Sequence, residues 1–164
     1  MADERPQTPW LPPNWFIRAA WKVHRAIYRL TGGRRGLWVP KPGKWGAMRL
    51  TTVGRRSGKE RVAILGYYED GPNLITLAMN GWMEPEPAWW LNLQAHPDAT
   101  VDLAKGKRAV RGRAAGGEER DRLWAGWSDY ASSGSDAQAY AARRPKGTAV
   151  VVLEPRTDAD PGFR

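Results

Sequence analysis

The chain has 164 residues, enough for about one domain whose core needs no covalent staples. It has no cysteine and only two histidines, His24 and His96, which excludes disulfide scaffolds, thiolate zinc sites, iron–sulfur clusters, thiol nucleophiles and multi-histidine metal centres. Lysine and arginine number 26 against 17 acidic residues, and the excess is one-sided: residues 1–63 hold 14 basic and 3 acidic side chains, the remainder 12 and 14. Such asymmetry points to an anionic partner for the N-terminal part.

Residues 1–14 are polar with four prolines and read as an extended arm. Acidic and proline-rich at its start, the chain lacks the pattern of a secretory signal, and no run of about 18 apolar residues occurs, so a cytoplasmic protein is expected. Residues 15–30 (WFIRAAWKVHRAIYRL) read as an amphipathic helix. Arg18, Lys22, Arg25 and Arg29 form one stripe; Phe16, Ala20, Val23, Ile27 and Leu30 form the opposite one. Two readings stay open. The apolar stripe packs on the domain, or the helix lies on an anionic membrane surface with Trp10, Trp15 and Trp21 as anchors, at the inner face of the membrane.

After a Gly/Pro/basic loop the pattern turns to strands. Met48–Val53 and Arg61–Tyr68 form a hairpin with a long basic tip, and Leu74–Met79 follows after a second turn, broken by Gly81. Residues 86–95 read as a short helix with Pro87 in its first turn. Ala99–Ala104 and Lys107–Ala114 form a further hairpin, Glu118–Tyr130 and Asp136–Arg143 are helices, and Thr148–Leu153 is a strand buried on both faces. The fold class is mainly β (α+β): a split β-barrel of about six antiparallel strands with peripheral helices. Residues 1–46 form the basic arm and helix, 47–155 the barrel, and 156–164 a flexible tail. Barrels with open edges pair readily, which is compatible with a homodimer.

Two segments carry chemistry. At the hairpin tip Arg55, Arg56, Ser57, Gly58, Lys59 and Arg61 bring cations, a hydroxyl and glycines together, a composition that cradles phosphate or carboxylate. It is not a Walker loop, because GxxxxGK[ST] is absent. The strand end Ala78-Met79-Asn80-Gly81-Trp82 precedes Pro87-Ala88-Trp89-Trp90-Leu91-Asn92, where Trp89 and Asn92 share a helix face and could hold a planar heterocycle. Classical acid/base, Ser/His/Asp and metal signatures are missing, so an enzyme on this chain relies on a bound cofactor. An aromatic-basic pattern on one sheet face is also missing, which disfavours nucleic acid.

Leu50–Gly71, the LAMNGW segment and Pro87–Val101 together resemble the deazaflavin-dependent nitroreductase family. Its pattern is a TTxGRxSGxxR hairpin, an A-S-x-G-G strand end and a P-x-W-x-x-N-L-x-A-x-P helix. Three motifs in order, at near-constant spacing, make the resemblance specific, and it extends more loosely to Glu154-Pro155. It implies an actinobacterial-type reductase on a split barrel that uses coenzyme F420. By similarity Arg55, Arg56, Ser57 and Arg61 hold the phosphate and glutamate tail, with Lys59 at the rim. Ala78, Met79, Asn80 and Gly81 run past the deazaflavin ring, and Ala88, Trp89 and Asn92 line it from the helix. On the acceptor side the resemblance implies Tyr140, with Tyr130 compensating for a second pocket tyrosine lost near Ala137, and Met79 at the reacting face. The departures are Met79 for a serine, Asn80 for a lysine, Ala63-Ile64-Leu65 for Thr-Pro-Leu and Trp82 for the second glycine. The expected activity is hydride transfer from reduced F420 to a small aromatic or conjugated acceptor, a quinone, enone, lactone or nitro-aromatic. The alternative is a non-catalytic F420- or lipid-binding relative.

Overall fold

A computed structural model of the protein describes residues 13–30, 36–130, 137–142, 144 and 146–157. The predicted N-terminal arm, the loop at 132–135 and the tail beyond 157 lie outside the described residues. In chain order the elements are α1 (Asn14–Leu30), β1 (Gly46–Val53), β2 (Glu60–Asp70), β3 (Asn73–Leu77), α2 (Ala88–Ala95), β4 (Asp98–Leu103), β5 (Gly106–Ala114), α3 (Gly117–Tyr130), α4 (Ala137–Ala141) and β6 (Val150–Pro155).

The six strands close into a barrel in the order β1-β2-β3-β6-β5-β4, every pairing antiparallel. Closure removes the open edges from which pairing between copies was argued. Alternation within the strands builds two buried layers, because successive side chains leave a strand on opposite faces. Met48, Leu50, Leu74, Val101, Val151 and Leu153 meet in one cluster, joined by Trp90 and Leu93 of α2. Ile75, Leu77, Val150 and Val152 form the other, under Leu123 and Trp127 of α3. The closing strand β6 thus contributes to both layers, as its unbroken run of valines predicts.

Two close approaches fix the helices. A Cβ on Gly112 would sit 2.9 Å from Leu93 Cδ1, so β5 carries no side chain where α2 presses in. On the other side Tyr68 donates its hydroxyl to the Leu123 carbonyl at 2.7 Å, and Trp45 stacks on Trp127 with centroids 4.9 Å apart. Burial pushes the Tyr68 hydroxyl up to about 12, with the neighbouring Asp70 carboxylate adding to the shift, so it stays protonated and remains a donor throughout the neutral range. Arg113 ties α3 to β6, bonding both Glu119 oxygens (2.7 and 2.8 Å) and Glu154 (2.6 Å). The Arg113 hydrogen bonds hold the Glu119 carboxyl below its usual range, and those of Arg122 do the same for Asp70.

The strands start and stop close to their predicted bounds. β3 ends at Leu77, two residues earlier than the pattern predicts. Residues Asn80, Gly81 and Trp82 turn in the left-handed region (φ 46°, 62° and 63°) and draw the chain out of the sheet. An aromatic residue rarely adopts that conformation, so the sequence carried no signal for it beyond Gly81.

The helix α1 corrects one of its two readings. Its apolar side chains do not pack on the barrel: Trp15 is 70% exposed and Leu30 86%, and Phe16, Val23 and Ile27 are exposed too. Its basic residues Arg18 and Lys22 face the barrel instead, at the cleft described next. Trp10, and the side chain of Trp21, fall outside the described residues.

Candidate active site

A cleft of about 1340 Å³ opens between the β1–β2 hairpin, the segment that follows β3, and the start of α2. Arg55, Arg56 and Arg61 line it from the hairpin tip, and Arg18 and Lys22 from α1. Met79, Trp82, Met83, Ala88 and Trp89 give it an apolar and aromatic wall, with Glu84 among them.

The tip is shaped by its own hydrogen bonds. Gly54 donates to the Lys59 carbonyl and Gly58 to that of Gly54, both at 2.8 Å. The Ser57 hydroxyl accepts from the Lys59 N–H at 3.3 Å and from Arg61 Nη2 at 3.4 Å. A Cβ on Gly54 would sit 2.8 Å from that hydroxyl and 3.1 Å from the Lys59 carbonyl oxygen, so only glycine leaves the tip this tight. The result is a row of guanidinium groups on a fixed turn, suited to two-point contacts with phosphate or carboxylate. Lys59 is at the tip and is not among the residues that line the cleft.

Asn92 lies under this tip. It is buried, its Oδ1 accepts the Arg55 backbone N–H at 3.1 Å, and its Nδ2 donates to Thr52 Oγ1 at 3.1 Å. The side chain therefore acts on the hairpin. It borders the cleft, but its amide is occupied within the protein, which makes it the brace of the cradle where the resemblance implied a ring contact. Trp89 is packed edge-on against Trp90, with centroids 6.3 Å apart, and presents its remaining edge to the cleft.

Of the predicted site residues, the structure brings Arg55, Arg56, Ser57, Arg61, Met79, Asn80, Gly81, Ala88, Trp89 and Asn92 to one cleft. Three stand elsewhere. Ala78 is wholly buried behind the wall, its N–H on the Ala149 carbonyl. Tyr140 is behind Trp82, stacked on its ring with centroids 5.9 Å apart, and does not line the cleft. Tyr130 stacks on Tyr68 at 5.0 Å and borders a second hollow of about 530 Å³ with Trp38 and Trp45. Each tyrosine has one ring face on an aromatic neighbour. Sequence reasoning missed Arg18 and Lys22 as cleft residues, although their spacing put them on one face.

The described residues hold no group of three or more metal-ligating side chains. A barrel whose one cleft combines an arginine-bearing hairpin with aromatic and methionine side chains has the lining that an extended anionic heterocyclic cofactor would need. The F420H(2)-dependent quinone reductase family model matches residues 20–155, and the chain belongs to that family. Among relatives, F420H(2)-dependent quinone reductase Rv1261c of Mycobacterium tuberculosis is 31% identical over 105 residues, 63% of this chain and 69% of that protein. Rv3178 of the same species is 34% identical over 102 residues, 62% of this chain and 83% of that protein. The solved structure of an F420-H2 dependent reductase shares the fold, with a TM-score of 0.58 and 24% identity over 66% of this chain and 93% of that one. So does a protein described as a domain-swapped dimer, with a TM-score of 0.59 and 24% identity over 87% of this chain and all of that one. The chain is an F420-dependent oxidoreductase on a mainly β split barrel, and its cofactor is coenzyme F420.

The cleft fits that cofactor by its own chemistry. The lining combines cations suited to a phosphodiester and glutamate tail with apolar and aromatic side chains suited to a planar ring. No helix among the described residues is long and apolar enough to cross a membrane.

Proposed function

We propose that the cleft takes reduced F420 with its anionic tail on Arg55, Arg56 and Arg61 and its ring beside Met79, Asn80, Gly81, Ala88 and Trp89, and that the acceptor is a quinone. The observation that carries this reading is that one cleft is lined both by the hairpin arginines and by an apolar, aromatic wall. When bound, the reduced deazaflavin supplies a hydride. The chain's own residues do the rest. The hairpin arginines anchor the tail and so fix how far the ring enters. The wall from Met79 to Trp89 orients the ring and keeps water from it.

Met79 stands where the resembling family has a serine, so the reacting face lacks a hydroxyl. A quinone suits such a wall: it is planar, takes up the hydride's electron pair at its own oxygens, and completes the quinol with a proton from water. A nitro group, whose reduction ends in repeated proton transfers and loss of oxygen, is the poorer acceptor here, with enones and lactones between them. The test is an acceptor series with reduced F420. Quinone turnover well above nitroimidazole turnover is expected. Binding of F420 with no oxidation by any acceptor would favour the non-catalytic alternative.

The exposed apolar face of α1 supports a second, compatible element of the proposal. The protein is cytoplasmic and attaches to the inner membrane face through helix 15–30, where quinones dissolve. A helix that leaves Trp15, Phe16, Val23, Ile27 and Leu30 in water gains about 0.8 kcal/mol per CH₂ it buries in lipid. The full chain is expected to sediment with anionic liposomes and a chain without residues 1–31 to stay in solution. Equal pelleting of both forms would defeat this element. The principal partner is then the small-molecule acceptor, with no nucleic acid. A homodimer, if formed, pairs through something other than open strand edges.

A further inference from the structure

The cleft wall that follows β3 is a continuous stretch. Between Met79 and Trp89, Glu86 is the one residue that does not line the cleft. Its carboxylate turns the other way, and Oε1 is 3.6 Å from Arg144 Nη2. The Arg144 side chain is only 1% exposed. Its Nη1 donates to the Ala78 carbonyl and, at 3.1 Å, to Thr148 Oγ1. One guanidinium therefore grips both ends of the wall, the Ala78 carbonyl where it begins and the Glu86 carboxylate where it turns into α2. Between those grips run the left-handed residues Asn80, Gly81 and Trp82. Such a backbone persists only where its surroundings hold it.

We propose that Arg144 is a positioning residue for the cofactor cleft: with Glu86 it clamps the Ala78–Glu86 wall in the shape that faces the ring. Arg144 is buried and Glu86 partly so, and an ion pair with a buried member matters by what it orders more than by net stability. Nε and Nη2 of Arg144 and Oε2 of Glu86 have no hydrogen-bond partner among the described residues, so the clamp holds by few, directed contacts. Releasing either end frees the wall while leaving the barrel and the hairpin cradle in place. Trp82, stacked on Tyr140 four residues before Arg144, backs the same wall from the same segment. In the sequence Arg144 stands in the run Arg143-Arg144-Pro145-Lys146, which reads as a solvated basic stretch.

The effect on turnover rests on the reading that this cleft holds F420; the effect on the wall does not. The experiment compares Arg144→Lys, Arg144→Met and Glu86→Gln with the wild type. Amide hydrogen exchange of the ligand-free protein reads the wall directly. Arg144→Met is expected to speed exchange across residues 79–87 about tenfold or more, with β4 and β5 unchanged. Glu86→Gln, which keeps the Ala78 bond, is expected to speed it less, and Arg144→Lys to restore part of the protection. With F420, the hairpin should keep the dissociation constant within about threefold, while kcat with a quinone falls about tenfold or more, since a small misplacement of a reacting ring has effects of that size. Unchanged exchange at 79–87, or a uniform rise over the barrel, would overturn the proposal. If Arg144→Met fails to fold, Glu86→Gln and Arg144→Lys carry the same comparison. Failure of the wild type to bind F420 would remove the cofactor reading and leave the exchange result to judge the clamp.

Discussion

Arg61→Ala is expected to weaken F420 binding about tenfold to a hundredfold, because a charge-assisted hydrogen bond contributes about 1.5–3 kcal/mol and each 1.4 kcal/mol is a factor of ten. The side chain is exposed on β2, donates to the Ser57 hydroxyl at 3.4 Å, and lines the cleft. Folding stability should therefore move by no more than about 0.5 kcal/mol, the usual range for a surface substitution. The combination Arg55→Ala with Arg61→Ala should remove most of the measurable affinity. Raising the salt concentration should weaken the wild type and flatten its difference from the variants, since exposed charges are screened. Fluorescence titration of each variant checks this. An affinity for F420 that is indifferent to both arginines and to salt would place the anionic tail elsewhere.

Asn92→Ala is expected to lower both stability and affinity, although the amide touches no cofactor atom in the proposed arrangement. The substitution leaves the half-buried Arg55 N–H without its acceptor, at about 1–3 kcal/mol for an orphaned group, and takes the amide donor from Thr52 Oγ1, which keeps its own bond to the Arg61 carbonyl at 3.4 Å. For a chain of this size each kcal/mol lowers the melting temperature by about 2–4 °C. The cradle also loses its brace, so F420 affinity measured well below the melting transition should fall about tenfold. Thr52→Val separates the two effects. It removes the Thr52 contact but keeps the bond from Asn92 to Arg55, so it should destabilise with little change in affinity. If Asn92→Ala lost stability and kept full affinity, the brace would have no part in binding.

Much of the architecture was legible because it rests on local periodicity. The alternation in β1, β2, β4 and β5 and the apolar run of β6 gave strands within two residues of their true bounds, and Pro87 marked the start of α2. The hairpin cradle was legible for the same reason: its cations, serine and glycines are contiguous. What escaped the sequence depends on contacts between distant segments. The apolar stripe of α1 left open whether it packs on the barrel or meets a membrane, because periodicity cannot say which face meets the barrel, and here the basic one does. Tyr140 and Tyr130 are aromatic residues at plausible positions, yet Trp82 and Tyr68 stack on their rings. Asn92 was legible as a site residue and not as a brace, because its partners are 37 and 40 residues away in the chain. Arg144 sits in a basic run that reads as surface and is buried only by the return of the chain past Ala78.

The central claim is that this cleft is built for an anionic deazaflavin. The most direct test titrates the purified protein with oxidised F420, following quenching of its tryptophans, with FMN in parallel. Saturable F420 binding in the micromolar range or tighter, with weak FMN binding, is the predicted result; FMN binding without F420 binding would contradict it.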